Sequence, residues 1–275
     1  MFEITYSIPA KLEDEYSEKL TGAGVASFCF EKIAGSLLLK IYSDSPEPFD
    51  EIDINLLRNI SEIHDSDWKN KWAEDYTGHE LTENIFVLPP GVDPPGKNYR
   101  HIIQVDPEDS FGDGHHPTTR LCGALLEQVL GMVHFPDKVS FIDIGTGSGV
   151  LAIQAALMGV ADVELFDYDE GSVIKANKNL GLNGISGIRA SVNDLYTFSS
   201  SKKYDIITAN LLSKIIEDNI ERLKALLEPG GMLILSGISS RWEADMTELF
   251  KNSGLRIILH KKLEEWEGFV LELNY

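Results

Sequence analysis

An apolar segment that leads into three glycines at alternate positions sets the first limit on the fold. Residues 141–153 read FIDIGTGSGVLAI, in which Gly145, Gly147 and Gly149 follow one apolar run and precede another. Glycine is favoured where the backbone approaches a ligand closely or adopts a positive φ angle that a side chain disfavours. The segment therefore predicts a strand, a ligand-binding turn and a helix in direct succession.

The chain from about Val139 onward continues this pattern, because short apolar segments alternate with amphipathic ones. Strand-like segments include DVELFDYD, YDIITANLL and MLILSGI, and helix-like segments such as KIIEDNIERLKALLEPGG lie between them. Such alternation is typical of a parallel sheet covered by helices on both faces. We therefore predict an α/β fold with a doubly wound, Rossmann-like sheet.

Three regions are predicted along the chain. Residues 1–60 combine strand-like segments with a helix-like one over residues 11–24, which indicates a small α+β domain, and a further helix-like period follows the prolines of DSPEPFDEIDINLLRNISEI. Residues 61–80 predict a polar linker helix that carries Trp68 and Trp72 on one face. Residues 81–275 form the predicted catalytic domain.

The glycine spacing separates two classes of nucleotide cofactor. GxGxG departs from the GxGxxG of dinucleotide-binding folds, in which the helix N-terminus holds a pyrophosphate. S-adenosylmethionine has no phosphate, and Asp143 lies just before the loop, where the ammonium group of that ligand needs a partner. We therefore predict S-adenosyl-L-methionine as the cofactor, with Gly145 and Gly147 among its contacts.

Two further acids follow the next two predicted strands. Asp167 ends the second strand, where a carboxylate can accept the ribose hydroxyls of a nucleotide. Asp194 follows the third strand, where an adenine amino group could be read, and Asp169 is assigned to capping the helix that starts near Glu170. An acid after each of three successive strands makes the cofactor prediction more specific than the glycines alone.

Asn210 ends the fourth strand, YDIITAN, where we expect methyl transfer. This reaction is an in-line displacement, so the enzyme mainly positions the acceptor and leaves its lone pair free. A nearby carboxylate would retain the proton of an amine whose pKa is about 10.4, whereas a neutral amide accepts the amine's N–H groups and orients the nitrogen. A turn or helix cap is the structural alternative for an asparagine at a strand end. We predict Asn210 as the catalytic residue.

The balance of charge bears on partners and compartment. The chain carries 44 acidic and 24 basic residues, a net charge of −20. This charge disfavours direct binding to nucleic acid and favours a basic protein partner, although solubility alone is the simpler explanation. No signal peptide or membrane-spanning apolar run is evident, and Cys29 and Cys122 lack any metal-binding spacing. We expect a cytoplasmic protein without membrane contacts.

Five segments of the chain resemble the ribosomal protein L11 methyltransferase (PrmA) family: FGDGHHPTTRLCGALLE, DIGTGSGVLAI, FDYDEGSVIKANKNLGLNGI, ANLL and LEPGGMLILSGI. A weaker match lies in DWKNKW, so the resemblance spans roughly residues 65–270. It implies a class I S-adenosylmethionine-dependent methyltransferase that acts on amino nitrogens, lysine and/or N-terminal, of a large-subunit ribosomal protein. It also implies an N-terminal domain that recruits this substrate.

The resemblance also assigns residues to the cofactor, namely Thr119, Gly145, Asp167 and Asn210. By itself the segment SFGDGHHPTTR leaves a metal site, a catalytic dyad and a metal-free pocket open. The family implies a loop that closes over the cofactor, with His116 shaping the pocket. No Glu or Cys completes a metal-ligand set around the two histidines at usable spacing, so we predict no metal.

Two departures from the family pattern concern the substrate. Asp113 stands where the family usually has threonine, which adds negative charge beside a cationic donor, and PPGVDPPGKN replaces a family tryptophan. One alternative is a methyltransferase of the same build that acts on a lysine of another protein, such as an electron-transfer flavoprotein subunit. A module that binds the cofactor without transfer is disfavoured by ANLL, and a nicotinamide dehydrogenase by the GxGxG spacing.

Overall fold

The computed structural model describes residues 2–9, 28–33, 36–43, 45–49, 52–62, 77–106 and 114–273, together with residues 12, 16, 19, 20 and 25. The chain divides into two compact units, Met1–Asp75 and Tyr76–Tyr275. Most of the predicted linker helix, with Trp68 and Trp72, lies outside the described residues, as does most of the helix expected over residues 11–24. Within the described ranges, no helix is long and apolar enough to cross a membrane.

The first unit contains a four-stranded antiparallel sheet with the strand order β2-β3-β1-β4. Its strands are β1 (Phe2–Ile8), β2 (Phe28–Ile33), β3 (Ser36–Ser43) and β4 (Leu57–Glu62). Alternate residues of β1 and β3 point to one face, so that Ile4, Tyr6, Leu39 and Ile41 are fully buried in a core of this unit. The alternation along these strands therefore buries one face of the sheet.

The segment after the prolines is a strand, and the helix-like period predicted there was misleading. A single 3-10 turn, Ile54–Leu56, is capped by the Asp53 side chain, and the chain then continues as β4. β4 pairs antiparallel with β1. The free edge of β1 offers a row of backbone donors and acceptors, and pairing them outweighs a weak local period.

The second unit is organised around a seven-stranded sheet with the order β10-β9-β8-β11-β12-β14-β13. The strands are β8 (Ser140–Ile144), β9 (Asp162–Asp167), β10 (Ala190–Val192), β11 (Tyr204–Asn210), β12 (Leu227–Ser239), β13 (Leu255–Leu263) and β14 (Trp266–Leu273). The five from β8 to β12 are parallel, and β14 runs antiparallel to its neighbours β12 and β13. The strand order reverses between β8 and β11, and open α/β sheets bind ligands at the carboxyl ends of the strands flanking such a reversal.

Helices cover both faces of this sheet, as the predicted doubly wound fold requires. They are α1 (Pro117–Gly131), α2 (Val150–Leu157), α3 (Glu170–Leu182), α4 (Ser213–Ala225) and α5 (Glu243–Asn252). Phe141 packs into a core formed with α1, α2 and α3, while its neighbour Ile142 packs into a second core formed with α4 and α5. Successive residues of a strand point to opposite faces, so an apolar strand such as β8 is buried on both sides.

A small three-stranded sheet, in the order β5-β6-β7, precedes α1. Its strands are β5 (His79–Thr82), β6 (Ile85–Leu88) and β7 (His101–Gln104). Leu81, Ile85, Val87 and Ile103 extend from it into the core that contains α1 and α2. β7 ends close to the C-terminus of α3, where the backbone of Gln104 is hydrogen-bonded to the side chain of the C-cap residue Asn183.

Candidate active site

The glycine turn follows β8 and is built from residues with positive φ angles. Gly145, Gly147 and Gly149 have φ values of 70°, 53° and 81°. A Cβ atom on Gly145 would lie 2.5 Å from Leu211 Cδ2, and one on Gly149 would lie 3.2 Å from the Ala176 Cβ. A Cβ on Gly147 would meet nothing within 4 Å. Two of the glycines thus permit close packing, and the third lies beside open space at the end of the sheet.

Asp167, at the end of β9, holds the turn in place. Its Oδ2 accepts a hydrogen bond from the Gly147 N–H at 2.8 Å, and its Oδ1 accepts one from the Asp169 N–H at 3.1 Å. Each carboxylate oxygen can accept more than one hydrogen bond. The side chain can therefore keep these contacts while it accepts further donors from a ligand.

Asp169 is the N-cap of α3, as predicted. Its Oδ2 accepts hydrogen bonds from the Ser172 N–H at 2.7 Å and from the Ser172 hydroxyl at 2.9 Å. These donors stabilise the carboxylate anion, so the pKa of Asp169 is lowered.

Asp143 ends up behind the glycine turn and is only 1% exposed. The hydroxyls of Thr146 and Thr208 each donate to one of its oxygens at 2.6 Å, which ties the turn to β11. Burial raises the pKa of Asp143 to about 6, with the two hydroxyls opposing the shift and the charge of Asp167 adding to it. Its pairing with an ammonium group stays a prediction. The hydrogen bonds of Thr146 and Thr208 to Asp143 were not predicted from the sequence. The signal that could have indicated one of them is Thr208, a polar residue within the apolar strand YDIITAN.

Asn210 and Thr119, which are far apart in sequence, meet at the end of β11. The Asn210 Nδ2 donates to the Thr119 Oγ1 at 3.2 Å, and Thr119 is buried in the first turn of α1. His116 caps this helix: its Nδ1 accepts from the Thr118 N–H at 3.3 Å. This bond uses one N–H of the amide, and the Asn210 Oδ1, the only acceptor of the side chain, is the atom that can accept a donor from a ligand.

The two histidines before α1 contact different neighbours. The ring of His115 lies edge-on to that of His79, with centroids 5.1 Å apart, and the ring of His116 lies edge-on to that of Trp266 at 5.2 Å. No group of three or more His, Cys, Asp or Glu side chains that could hold a metal ion occurs among the residues the structure describes. Residues 107–113, including Asp113, lie outside those residues.

Asp194 follows β10 and caps a turn. Its Oδ1 accepts from the Tyr196 N–H at 2.9 Å, and the side chain is exposed. The preceding Asn193 N–H donates to the Asp167 carbonyl at 2.9 Å, which places this segment beside the end of β9. The structure thus brings Asp194 to the same edge of the sheet as the glycine turn, and its contact with adenine stays a prediction.

Comparisons with known proteins agree on one family. The family model described as ribosomal protein L11 methyltransferase (PrmA) matches residues 3–273. A ribosomal protein L11 methyltransferase of Desulforapulum autotrophicum is 32% identical over 224 residues, which are 80% of this chain and 71% of that protein. The Bacillus subtilis protein of the same name is 33% identical over 222 residues, 79% of this chain and 70% of its own length.

A solved structure leads to the same result. The ribosomal protein L11 methylase from Lactobacillus delbrueckii subsp. bulgaricus superposes with a TM-score of 0.66 at 30% identity, covering 73% of this chain and all of that one. The predicted class I S-adenosylmethionine-dependent methyltransferase fold is thereby confirmed. From the family match, the identities and the shared fold, the chain belongs to the ribosomal protein L11 methyltransferase (PrmA) family.

Proposed function

We propose that this protein is an S-adenosylmethionine-dependent methyltransferase that methylates amino nitrogens, lysine and/or N-terminal, of a large-subunit ribosomal protein. Membership of the PrmA family supports the substrate class. The observation that carries the amine chemistry is Asn210, which ends β11 with its amide nitrogen engaged by Thr119. This leaves a neutral acceptor oxygen at the edge of the sheet where the strand order reverses.

The residues around the glycine turn fit the proposed donor. Gly147 borders open space, and Asp167 retains acceptor capacity beside it for the ribose hydroxyls. We assign Thr119, Gly145, Gly147, Asp167 and Asn210 as donor contacts. When bound, S-adenosylmethionine supplies a methyl group activated by its sulfonium centre.

The chain's part in the reaction is to orient the acceptor nitrogen. The Asn210 Oδ1 accepts an N–H of the acceptor amine, which directs the nitrogen lone pair towards the methyl group. Asp143 on β8 pairs with Thr208, two residues before Asn210 on the neighbouring strand β11. Its oxygens are bonded to hydroxyls, and the side chain is buried. Asp143 is therefore not placed to hold a proton on the amine through a salt bridge. We assign no role to a metal, because the rings of His115 and His116 contact different neighbours.

The N-terminal unit is assigned to substrate recruitment, with a boundary near residue 60 and a linker to residue 80. The excess of acidic residues over the whole chain favours a basic protein over RNA or an anionic membrane as the direct partner. A ribosomal protein is such a partner, and the family match supports it. On this ground we propose that the reaction takes place in the cytoplasm. The alternative is a different basic protein methylated on lysine.

A transfer assay tests this function. The protein is incubated with methyl-labelled S-adenosylmethionine and ribosomes from an undermethylated source, and the label is followed in separated proteins and RNA. We expect label in one large-subunit protein with the unsubstituted chain and little with Asn210→Ala. Label in RNA alone, or in none of the ribosomal components, would refute the proposal, and label confined to an added non-ribosomal protein would favour the alternative.

A further inference from the structure

Helix α3 carries an asparagine, Asn179, whose side chain is too deeply buried to contact a ligand. Asn179 is fully buried, its Nδ2 donates to the Ser148 carbonyl at 2.8 Å, and its Oδ1 accepts from the Asp106 N–H at 3.0 Å. A carbonyl can only accept and a backbone N–H can only donate, so this bridge fixes the orientation of the amide. Asn179 thus joins the glycine turn to the residues that follow β7.

The glycine turn depends on two such side chains. The Gly147 N–H is bonded to Asp167, and the Ser148 carbonyl to Asn179. The Gly149 N–H bonds within the turn to the Thr146 carbonyl at 2.9 Å. Both ends of the Ser148–Gly149 peptide group are therefore bonded, and the orientation of the turn is determined by residues of β9 and α3.

The far end of this bridge is itself anchored. Asn183, one helical turn after Asn179, accepts from the Gln104 N–H at 2.8 Å and donates to the Gln104 carbonyl at 2.7 Å. The same amide also donates to the Asn179 carbonyl at 2.8 Å. α3 and the end of β7 consequently form one hydrogen-bonded frame, and Asn179 extends that frame to the turn.

We propose that Asn179 is a positioning residue for donor binding: by holding the Ser148 carbonyl it preorganises the glycine turn against which the donor lies. The inference rests on the proposed function, which places S-adenosylmethionine at this turn. Asp167 is assigned to both the turn and the donor, whereas Asn179 is buried and contacts only backbone groups of the protein. Without the Asn179 side chain, the turn with its positive φ angles would have to become ordered when the donor binds. The free energy of this ordering would weaken donor affinity and leave the chemical step unchanged.

Asn177 on the same helix is a matched control. Its Nδ2 donates to the Val173 carbonyl at 2.8 Å, and its Oδ1 accepts from the Ala190 N–H at 3.0 Å, so it ties α3 to β10 and not to the turn. Asn177→Ala and Asn179→Ala each remove an amide that bridges the backbones of two other residues. A purely structural role predicts that both variants lose thermal stability and that neither differs specifically in donor binding.

The experiment measures S-adenosylhomocysteine binding by calorimetry, together with steady-state kinetics and thermal unfolding, for the full chain and these variants. For Asn179→Ala we expect the Kd, and the KM for the donor, to rise about five- to tenfold, the factor that corresponds to one buried hydrogen bond. We expect kcat at saturating donor to change by less than about twofold, since the bond is equally present during transfer. Asn177→Ala should bind like the unsubstituted protein.

Two variants keep the test decisive. In its ionised form Asn179→Asp still accepts from the Asp106 N–H but cannot donate to the Ser148 carbonyl. Measured at a pH high enough to ionise this carboxyl, it should bind S-adenosylhomocysteine at least as weakly as the alanine variant. Asn179→Ser replaces the alanine variant if that one does not fold. Unchanged affinity in Asn179→Asp, or equal weakening in Asn177→Ala, would overturn the inference alone, whereas an unsubstituted protein that does not bind S-adenosylhomocysteine would overturn the proposed function as well.

Discussion

At the scale of single residues, Asp143 and Asp167 end neighbouring strands but have different surroundings. Asp143 is buried behind the turn and bonded to two hydroxyls, whereas Asp167 accepts from backbone N–H groups at the edge of the sheet. Position in the sheet could be predicted from the sequence for both. Their side-chain contacts could not, because those depend on the rotamers and, for Asp143, on Thr208 of a strand distant in sequence.

Asp167→Ala should weaken binding of S-adenosylmethionine by about 1.5–3 kcal/mol, the usual contribution of hydrogen bonds to a charged group. The ribose hydroxyls lose their proposed acceptor, and the Gly147 N–H loses its partner. Calorimetric titration measures the effect, and Asp162→Ala at the exposed start of β9 is the control. Unchanged donor affinity in Asp167→Ala, or tight binding of NAD by the unsubstituted protein, would contradict the assignment.

Asp143 predicts a specific pH dependence of stability. Its pKa is raised from 3.8 to about 6, so the folded state binds this proton more tightly than the unfolded state does. The associated stabilisation is complete below pH 3.8 and is lost as the pH rises through about 6. The free energy of unfolding of Asp143→Asn, relative to the unsubstituted protein, should therefore rise across this interval and then level off. Urea unfolding at a series of pH values checks this, and a pH-independent difference would refute it.

At the scale of elements, strands β8 to β12 and the glycine turn follow the local pattern closely, because period, length and glycine spacing all indicate the same structure. β4 does not, since its pairing with β1 overrides a helix-like spacing. The segment from Leu255 to Leu273 forms two antiparallel strands, with Glu264 at a positive φ of 55° between them. Asn179 was likewise missed, because its partners are separated from it in sequence.

Gly145 and Gly147 of the glycine turn differ in the space available for a side chain, and this difference gives a prediction. An alanine at either position adopts a left-handed conformation that costs roughly 1–2 kcal/mol. Gly145→Ala must in addition displace Leu211, the neighbour of Asn210, so it should lose more stability than Gly147→Ala. Gly147→Ala places a methyl group in the open space assigned to the donor. Relative to its loss of stability, this variant should therefore lose more donor affinity than Gly145→Ala.

Thermal unfolding and S-adenosylhomocysteine titration of the two glycine variants separate these effects. Equal losses of stability would show that Leu211 moves aside freely. A Gly147→Ala protein with unchanged affinity would place the donor elsewhere.

At the scale of the whole molecule, the described part of the chain forms two units with separate cores. All of the proposed donor contacts belong to the second unit, and the first has its own sheet and buried residues. Units of this kind can fold independently. Substrate recruitment and methyl transfer can therefore be tested separately.

A chain shortened to begin at Tyr76 should bind S-adenosylhomocysteine with unchanged affinity but lose most methylation of the intact substrate. The reason is that the acidic N-terminal unit, by the proposed function, supplies the attraction and orientation for a basic partner. Asn210→Ala in the full chain should have the opposite effect, since recruitment persists while turnover falls. Full-rate methylation of the intact substrate by the shortened chain would assign the N-terminal unit a structural role only.

The most direct test of the proposal that Asn210 orients an acceptor amine is to locate the added methyl groups, by peptide mass spectrometry of the ribosomal proteins after reaction. Orientation of an acceptor by a neutral amide predicts methyl groups on lysine side-chain nitrogens, the N-terminal nitrogen, or both, of one basic large-subunit protein. With Asn210→Ala it predicts far fewer of them. Methyl groups on carboxylate, hydroxyl or amide side chains, or unchanged amine methylation in Asn210→Ala, would contradict the role of Asn210.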